Sequence, residues 1–418
     1  MGIKDLMDLL KTYCTPGSIG VLPGEVREEL ASKNRASEHV VADINPEVPL
    51  SVFEGHRIAI DILSVFHPQK VTAYDDHIKR SPNTIPNDYD ITTVALARFA
   101  RTIATFIFAK SIPVCVMDGR ATKLKSKTQI ARRKVAENYA NQQVDAEIRL
   151  EQLEKELAKP KPEPKTEEEH QQHAEELIVA ASEKVELTKR VATAMKGSVR
   201  VSEEDKQRIR QLVIAMGIPY IIAPEEAEKY CAQLTREGHC RAALSQDTDL
   251  FAHGCPVIIR QLKGNIARVC ILDNVLRQLN LSYESFVDLC VMCGTDYNPN
   301  VRGFGYERCY RLIKQYGSLE AMPEVTILDI PMGKGSRKME YKKSLLYNEE
   351  EKLDWQHIRR EFLEKRFRVD PESLDLDECN MPLVRELLND SNILLRYGKA
   401  HSDLMMQEER KIPFVEYF

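Results

Sequence analysis

Two short apolar runs, each ending on an aspartate, restrict the fold of this 418-residue chain more than any other feature. They are Arg57-Ile58-Ala59-Ile60-Asp61 and Ile112-Pro113-Val114-Cys115-Val116-Met117-Asp118-Gly119. Continuous apolar runs of this length read as strands covered on both faces, the environment of a parallel sheet. Between them, over residues 91–110, Val94, Leu96, Phe99, Ile103 and Phe106 recur at helical spacing. Parallel strands need a crossover, so the order strand, helix, strand points to an α/β domain. The pattern resumes with a helix over 203–216, the strand 218–222, a helix starting at Pro224 and the strand 242–245. Val257-Ile258-Ile259 and Val269-Cys270-Ile271-Leu272 read as a hairpin across Lys263-Gly264-Asn265, and helices dominate from 273 onward. At the start, Ile3, Leu6, Leu9 and Leu10 mark a short amphipathic helix over 1–12, and 13–55 reads as mostly loop.

The alternation breaks between the second strand and residue 203. Residues 120–134 hold seven Lys/Arg and no acid, whereas 141–176 hold eleven acids and five bases around Lys159-Pro160-Lys161-Pro162-Glu163-Pro164-Lys165. Prolines forbid one continuous helix, so two charged helices joined by an extended linker are expected, inserted outside the core. This insertion also governs the net charge. The chain totals −5, and 141–176 alone contribute −6, which leaves the remainder at +1. The average acidity therefore does not argue against a nucleic-acid partner. No run approaches the ~18 apolar residues of a membrane span, and the ten cysteines are scattered. A reduced, intracellular protein with no membrane association is expected.

The acids at the strand ends carry the chemistry. In open α/β sheets functional groups gather at the carboxyl ends of the strands, although a lone Asp there also suits a helix cap. Asp61 and Asp118 are joined by Glu226 and Glu228 at a helix start, by Asp247 and Asp249 after a strand, and by Asp296 after an apolar helix over 284–293. Converging carboxylates repel one another unless hard divalent cations lie between them. Cys290-Val291-Met292-Cys293 is a lone CxxC, which suits a helix core better than zinc.

These residues make the chain recognisable. Met1-Gly2-Ile3, Ile58-Ala59-Ile60-Asp61, Met117-Asp118-Gly119 with Leu124-Lys125-Ser126, and Met216-Gly217-Ile218-Pro219-Tyr220 resemble successive blocks of the flap endonuclease branch of the XPG-like nucleases. So do Ala223-Pro224-Glu225-Glu226-Ala227-Glu228, Gln246-Asp247-Thr248-Asp249, Val287-Asp288-Leu289-Cys290 and Gly294-Thr295-Asp296-Tyr297. The resemblance implies an α/β fold with a parallel-sheet, PIN-like nuclease core, a helical arch insertion and a helix-hairpin-helix (helix-two-turn-helix) element. The core would comprise 1–118 and 203–272, the arch 119–202, the duplex-binding region 273–345, and C-terminal helices with a tail 346–418. It implies a two-metal site of Asp61, Asp118, Glu226, Glu228, Asp247, Asp249 and Asp296, holding two Mg²⁺ that Mn²⁺ can replace. The implied reaction is structure-specific 5′ cleavage of branched or flapped duplex DNA in replication and repair. A processive 5′→3′ exonuclease and a non-catalytic junction or sliding-clamp adaptor are the alternatives.

The resemblance also places Lys125 and Arg132 at the scissile phosphate, where fixed cations stabilise developing charge; a solvated helix face is the plainer reading. Arg133 and Lys134 would touch backbone phosphates. His67 stands where relatives stack a tyrosine on DNA, with Phe66 beside it as the other candidate ring or as core. In Val301-Arg302-Gly303-Phe304-Gly305, Gly303 and Gly305 would admit a phosphate, with Arg302 and Arg308 nearby. The family places a monovalent cation, K⁺, at this hairpin, where this chain carries Tyr306-Glu307 in place of the usual Pro-Lys. Lys334, Arg337, Lys338, Lys342 and Lys343 read either as a solvated loop or as more duplex footprint. Phe414, Tyr417 and Phe418 in the tail resemble a sliding-clamp-binding peptide, with Lys411 where that motif wants Gln; a tail folded onto the core is the other reading. A monomer is expected, located in the nucleus if the source is eukaryotic or in a viral replication compartment.

Overall fold

The computed structural model describes residues 3, 6–13, 47–120, 126–159, 166–332, 335–347, 354–364, 367–389 and 396–409. A seven-stranded sheet has the order β1-β7-β6-β5-β2-β3-β4. Its strands are β1 (Glu47–Pro49), β2 (Arg57–Asp61), β3 (Ile112–Met117), β4 (Tyr220–Ile222), β5 (Ala242–Leu244), β6 (Val257–Lys263) and β7 (Ile266–Ile271). From β6 to β4 the pairings are parallel, and β6–β7 and β7–β1 are antiparallel. Ile60 lies opposite Cys115 on one side and Leu244 on the other, so β2, β3 and β5 end at one edge of the sheet.

Both faces are covered. Ile58 and Ile60 enter the core built with Phe99 and Ile103 of the helix Asp88–Phe108 and Ile209 and Leu212 of the helix Glu203–Ala215. Ala59 turns to the other face, with Leu6, Leu9 and Leu10, Cys231 and Leu234 of the helix Ala227–Arg236, and Phe286 of the helix Tyr283–Cys293. Each large aliphatic buried this way contributes about 1.5–3 kcal/mol. Cys290 and Cys293 are buried, unbridged members of the second face, which bears out the core reading of the CxxC.

Three sequence readings need correction. The helix expected over 91–110 begins earlier, at Asp88, because the Asn87 side chain accepts the Tyr89 and Asp90 N–H groups, and Val94 is exposed. Within 13–55, β1 adds a three-residue edge strand to β7, and residues 14–46 lie outside the described residues. The 19-residue helix Ile62–Arg80, absent from the sequence reading, carries Pro68 and many polar side chains that blur its period. Residues 335–342 form a strand, β9 (Gly335–Lys342), paired antiparallel with β8 (Val325–Met332). The basic run there is therefore no loop, and Lys343 is buried, donating to the Leu319 carbonyl at 3.0 Å.

The insertion is a helical hairpin of Ser126–Leu157 and Glu167–Gly197. At 32 and 31 residues, each is ~45–50 Å long. Leu150, Leu153 and Leu187 form its seam, and Arg149–Glu183 (2.9 Å) and Lys184–Glu154 (2.7 Å) fix the antiparallel register. Its base is tied to the helix Ile62–Arg80 by Lys196–Asp75 at 2.7 Å. Lys70, almost completely buried, joins Asp205 (2.8 Å), Asp88 (2.9 Å) and the Arg200 carbonyl (3.5 Å).

Candidate metal centre and nucleic-acid interface

Asp61 ends β2 and caps the next helix, so both readings of an acid at a strand end apply to it. Its Oδ1 accepts the Ser64 N–H at 3.2 Å, and its Oδ2 accepts the Ser245 hydroxyl at 3.0 Å. Ser245 Oγ lies 2.8 Å from the Ser64 hydroxyl and accepts the Asp247 N–H at 3.1 Å. The two serines thus join the ends of β2 and β5. Asp118, just past β3, accepts the Ala227 N–H at 2.7 Å, at the start of the helix carrying Glu228. The next residue permits this approach: a Cβ on Gly119 would lie 1.8 Å from the Ala223 carbonyl oxygen.

Glu228, Asp247 and Asp249 bring carboxylate oxygens within 4.8 Å of one another. The Asp249 N–H donates to Asp247 Oδ1 at 3.1 Å, and Asp249 and Glu228 are both buried. Glu226 receives the buried Tyr297 hydroxyl on Oε2 at 2.8 Å, and Lys229 Nζ lies 3.7 Å from the same oxygen. Asp296, the residue before Tyr297, is half-buried in the turn after the helix Tyr283–Cys293.

The electrostatics match this crowding. Burial, then the charges of Asp118 and Asp247, push the Asp61 carboxyl up to about 7, against the opposing Ser64 and Ser245 hydrogen bonds. Burial and the fields of Glu226, Glu228 and Asp249 push the Tyr297 phenol well up. Five acids therefore act on these two groups, Asp118 and Asp247 on Asp61 and Glu226, Glu228 and Asp249 on Tyr297, so negative charge is crowded at this end of the sheet. An all-oxygen donor set suits a hard divalent ion such as Mg²⁺ rather than a thiolate-seeking metal. Ser64, Ser245, Lys229 and the role of Tyr297 were not legible in the sequence, because hydroxyls and a lone lysine carry no spacing signal.

The expected nucleic-acid residues are more dispersed. Arg133 and Lys134 are exposed on the first arch helix, which also contains Arg132; Lys125 lies outside the described residues. His67 Nε2 is 3.4 Å from the Val199 carbonyl at the arch base, and Phe66 is core, edge-on to Phe99 at 6.1 Å. At the hairpin, Gly303 has φ +86° and Phe304 is buried against Tyr341, ring centroids 4.9 Å apart. Arg302 is exposed, Arg308 donates to the Gly303 carbonyl, and Gly305 caps the helix Tyr306–Tyr316. The hairpin thus lies between two helices, as expected of a helix-hairpin-helix. Phe414, Tyr417 and Phe418 lie outside the described residues.

The XPG I-region family matches residues 217–296, the stretch from Gly217 to Asp296. Flap endonuclease 1 of Mus musculus is 30% identical over 348 residues, spanning 81% of this chain and 76% of that protein. Flap endonuclease 1 of Saccharomyces cerevisiae is 40% identical over 163 residues, 36% of this chain and 43% of that protein. The solved flap endonuclease-1 from Methanococcus jannaschii has the same fold, with a TM-score of 0.52 at 21% identity over 87% of this chain and 98% of that one. With a mouse relative 30% identical along most of both sequences, this chain belongs to the flap endonuclease family of XPG-like nucleases.

Proposed function

We propose that this protein is a divalent-metal-dependent, structure-specific nuclease that removes 5′ flaps from duplex DNA. The supporting observation is the convergence of Glu228, Asp247 and Asp249 within 4.8 Å at the edge where Asp61 and Asp118 end their strands. Asp61, Asp118, Glu226, Glu228, Asp247, Asp249 and Asp296 hold two Mg²⁺, which Mn²⁺ replaces. Bound, the ions would activate water and stabilise the leaving oxygen of a phosphodiester. The protein's part is to fix the donors: Ser64 and Ser245 orient Asp61, the Ala227 N–H orients Asp118, and Tyr297 orients Glu226.

The arch, residues 119–202, receives the single-stranded 5′ end, with Lys125 and Arg132 neutralising the scissile phosphate and Arg133 and Lys134 the neighbouring backbone. His67, at the arch base, meets a base near the junction. The hairpin at Arg302, Gly303, Gly305 and Arg308 grips duplex phosphates, and K⁺ binds there. The tail engages a sliding clamp through Phe414, Tyr417 and Phe418, and the enzyme works as a nuclear monomer in replication and repair.

Labelled 5′-flap, nicked and blunt duplexes incubated with and without Mg²⁺, beside an Asp247→Ala control, test this reading. Flap cleavage that needs both Mg²⁺ and Asp247 is expected. Blunt-end digestion exceeding flap cutting would favour an exonuclease, and no metal-dependent cutting of any substrate would leave a DNA-junction adaptor.

A further inference from the structure

Lys229 occupies an unusual position. It is 4% exposed, on the helix that starts at Ala227, and its Nζ lies 3.3 Å from Glu225 Oε2, 3.2 Å from Glu361 Oε2 and 3.7 Å from Glu226 Oε2. The same ammonium sits 5.2 Å from the centroid of the Tyr297 ring, whose hydroxyl donates to that Glu226 oxygen. Tyr297 in turn lies in the field of Glu228 and Asp249, two of the three converging acids. A buried cation is therefore built into the acid cluster on the Glu226 side. Glu361 belongs to the helix Trp355–Leu363, so the contact also ties the cluster to the C-terminal part of the chain.

We propose that Lys229 is a resident monovalent cation of the metal centre: a positioning residue that fixes Glu226 and holds down the affinity for divalent ions. The proposal rests on reading these acids as metal ligands. Two contacts on one carboxylate oxygen fix its rotamer before any ion arrives. An ammonium close to a ligand repels a divalent ion, and in a desolvated site this repulsion is weakly screened. Glu225 and Glu361 offset part of that charge, so they tune the effect in the opposite direction. The centre consequently holds its ions loosely until a phosphate supplies further negative charge.

The test is Mn²⁺ titration of the full chain without DNA, followed by the electron paramagnetic resonance of free Mn²⁺, with Tm recorded for every variant. Lys229→Met is expected to tighten Mn²⁺ binding on the order of tenfold, and Lys229→Arg to leave it near wild type. Glu361→Gln, which keeps the lysine and removes one offsetting charge, is expected to weaken binding several-fold; it also decides the matter if Lys229→Met does not fold. A lysine that serves packing alone would lower Tm in Lys229→Met and leave Mn²⁺ affinity unchanged or weaker, and either result overturns the proposal. So does unchanged affinity in Glu361→Gln. Asp247→Asn is the control for the metal centre itself: if it fails to weaken Mn²⁺ uptake, the reading of the acids as ligands falls first.

Discussion

Charged side chains crowd both the strand-end centre and the arch, in opposite surroundings. In the arch they pair across solvent: Lys155–Glu151 joins groups 71% and 65% exposed, and Arg149–Glu183 groups 47% and 37% exposed. Water screens such pairs, and each is worth about 0–1 kcal/mol. At the strand ends Asp61, Glu228 and Asp249 are buried, and like charges face one another with hydroxyls and backbone N–H groups between them. In one region charge stays solvated and paired. The other concentrates like charge out of water, where it destabilises the fold. Residue type alone does not separate the two; burial does.

The sharpest way to break this contrast is Asp247→Asn, which leaves size unchanged and removes one of the converging charges. Mg²⁺-dependent flap cleavage should fall on the order of 10³-fold, about 4 kcal/mol in transition-state stabilisation, with Tm unchanged or raised because repulsion on Asp61 is relieved. Next comes Lys70→Met at the arch base. Burial pushes the Asp205 carboxyl up, but the Lys70 hydrogen bond, the Ser202 N–H and the Thr92 hydroxyl hold it below its usual range. Losing the ammonium strands this acid and should cost about 3–5 kcal/mol in urea denaturation.

The third prediction concerns pH. The folded Asp61 carboxyl is raised from 3.8 to about 7, so between these values the folded state holds a proton that the unfolded state has lost. This contribution to stability is complete below pH ~4 and is lost as pH rises through ~7. In EDTA, Tm should therefore fall between pH 5 and 8, and saturating Mg²⁺ should flatten that slope. A metal-free Tm that rises over this range would contradict the crowding at the strand ends. The smallest effect is expected from Arg149→Ala on the arch, below about 1 kcal/mol and shrinking further in 0.5 M salt.

How much of this could be read beforehand follows from the same physics. The strands β2 and β3 were legible because strands buried on both faces are uninterrupted apolar runs. The helix Ile62–Arg80 was not, since Pro68 and its polar residues leave only part of one face to pack, through Val65, Phe66, Ala73 and Tyr74. Among the described residues β8 and β9 pair only with each other; Arg337, Lys338, Glu340 and Lys342 mask β9, and Asp329 and Pro331 interrupt the apolar run of β8. At the site, Asp61 and Asp118 were marked by the strands they end. Lys229 was hidden because a lysine four residues after a glutamate usually signals an exposed helix pair, and only the tertiary contact to Glu361 reveals its burial.

The serine bond between β5 and Asp61 also bears on the order of events during synthesis. Ser245 and Asp61 stand 184 residues apart, and the Tyr297–Glu226 contact adds a later stretch of chain. Contacts so distant in sequence form late, and a chain emerging from the ribosome folds its earlier parts first. The Glu226–Tyr297 contact cannot form until Tyr297 has cleared the exit tunnel. Long-range assembly thus acts as a timer, withholding the finished strand-end cluster until most of the molecule exists.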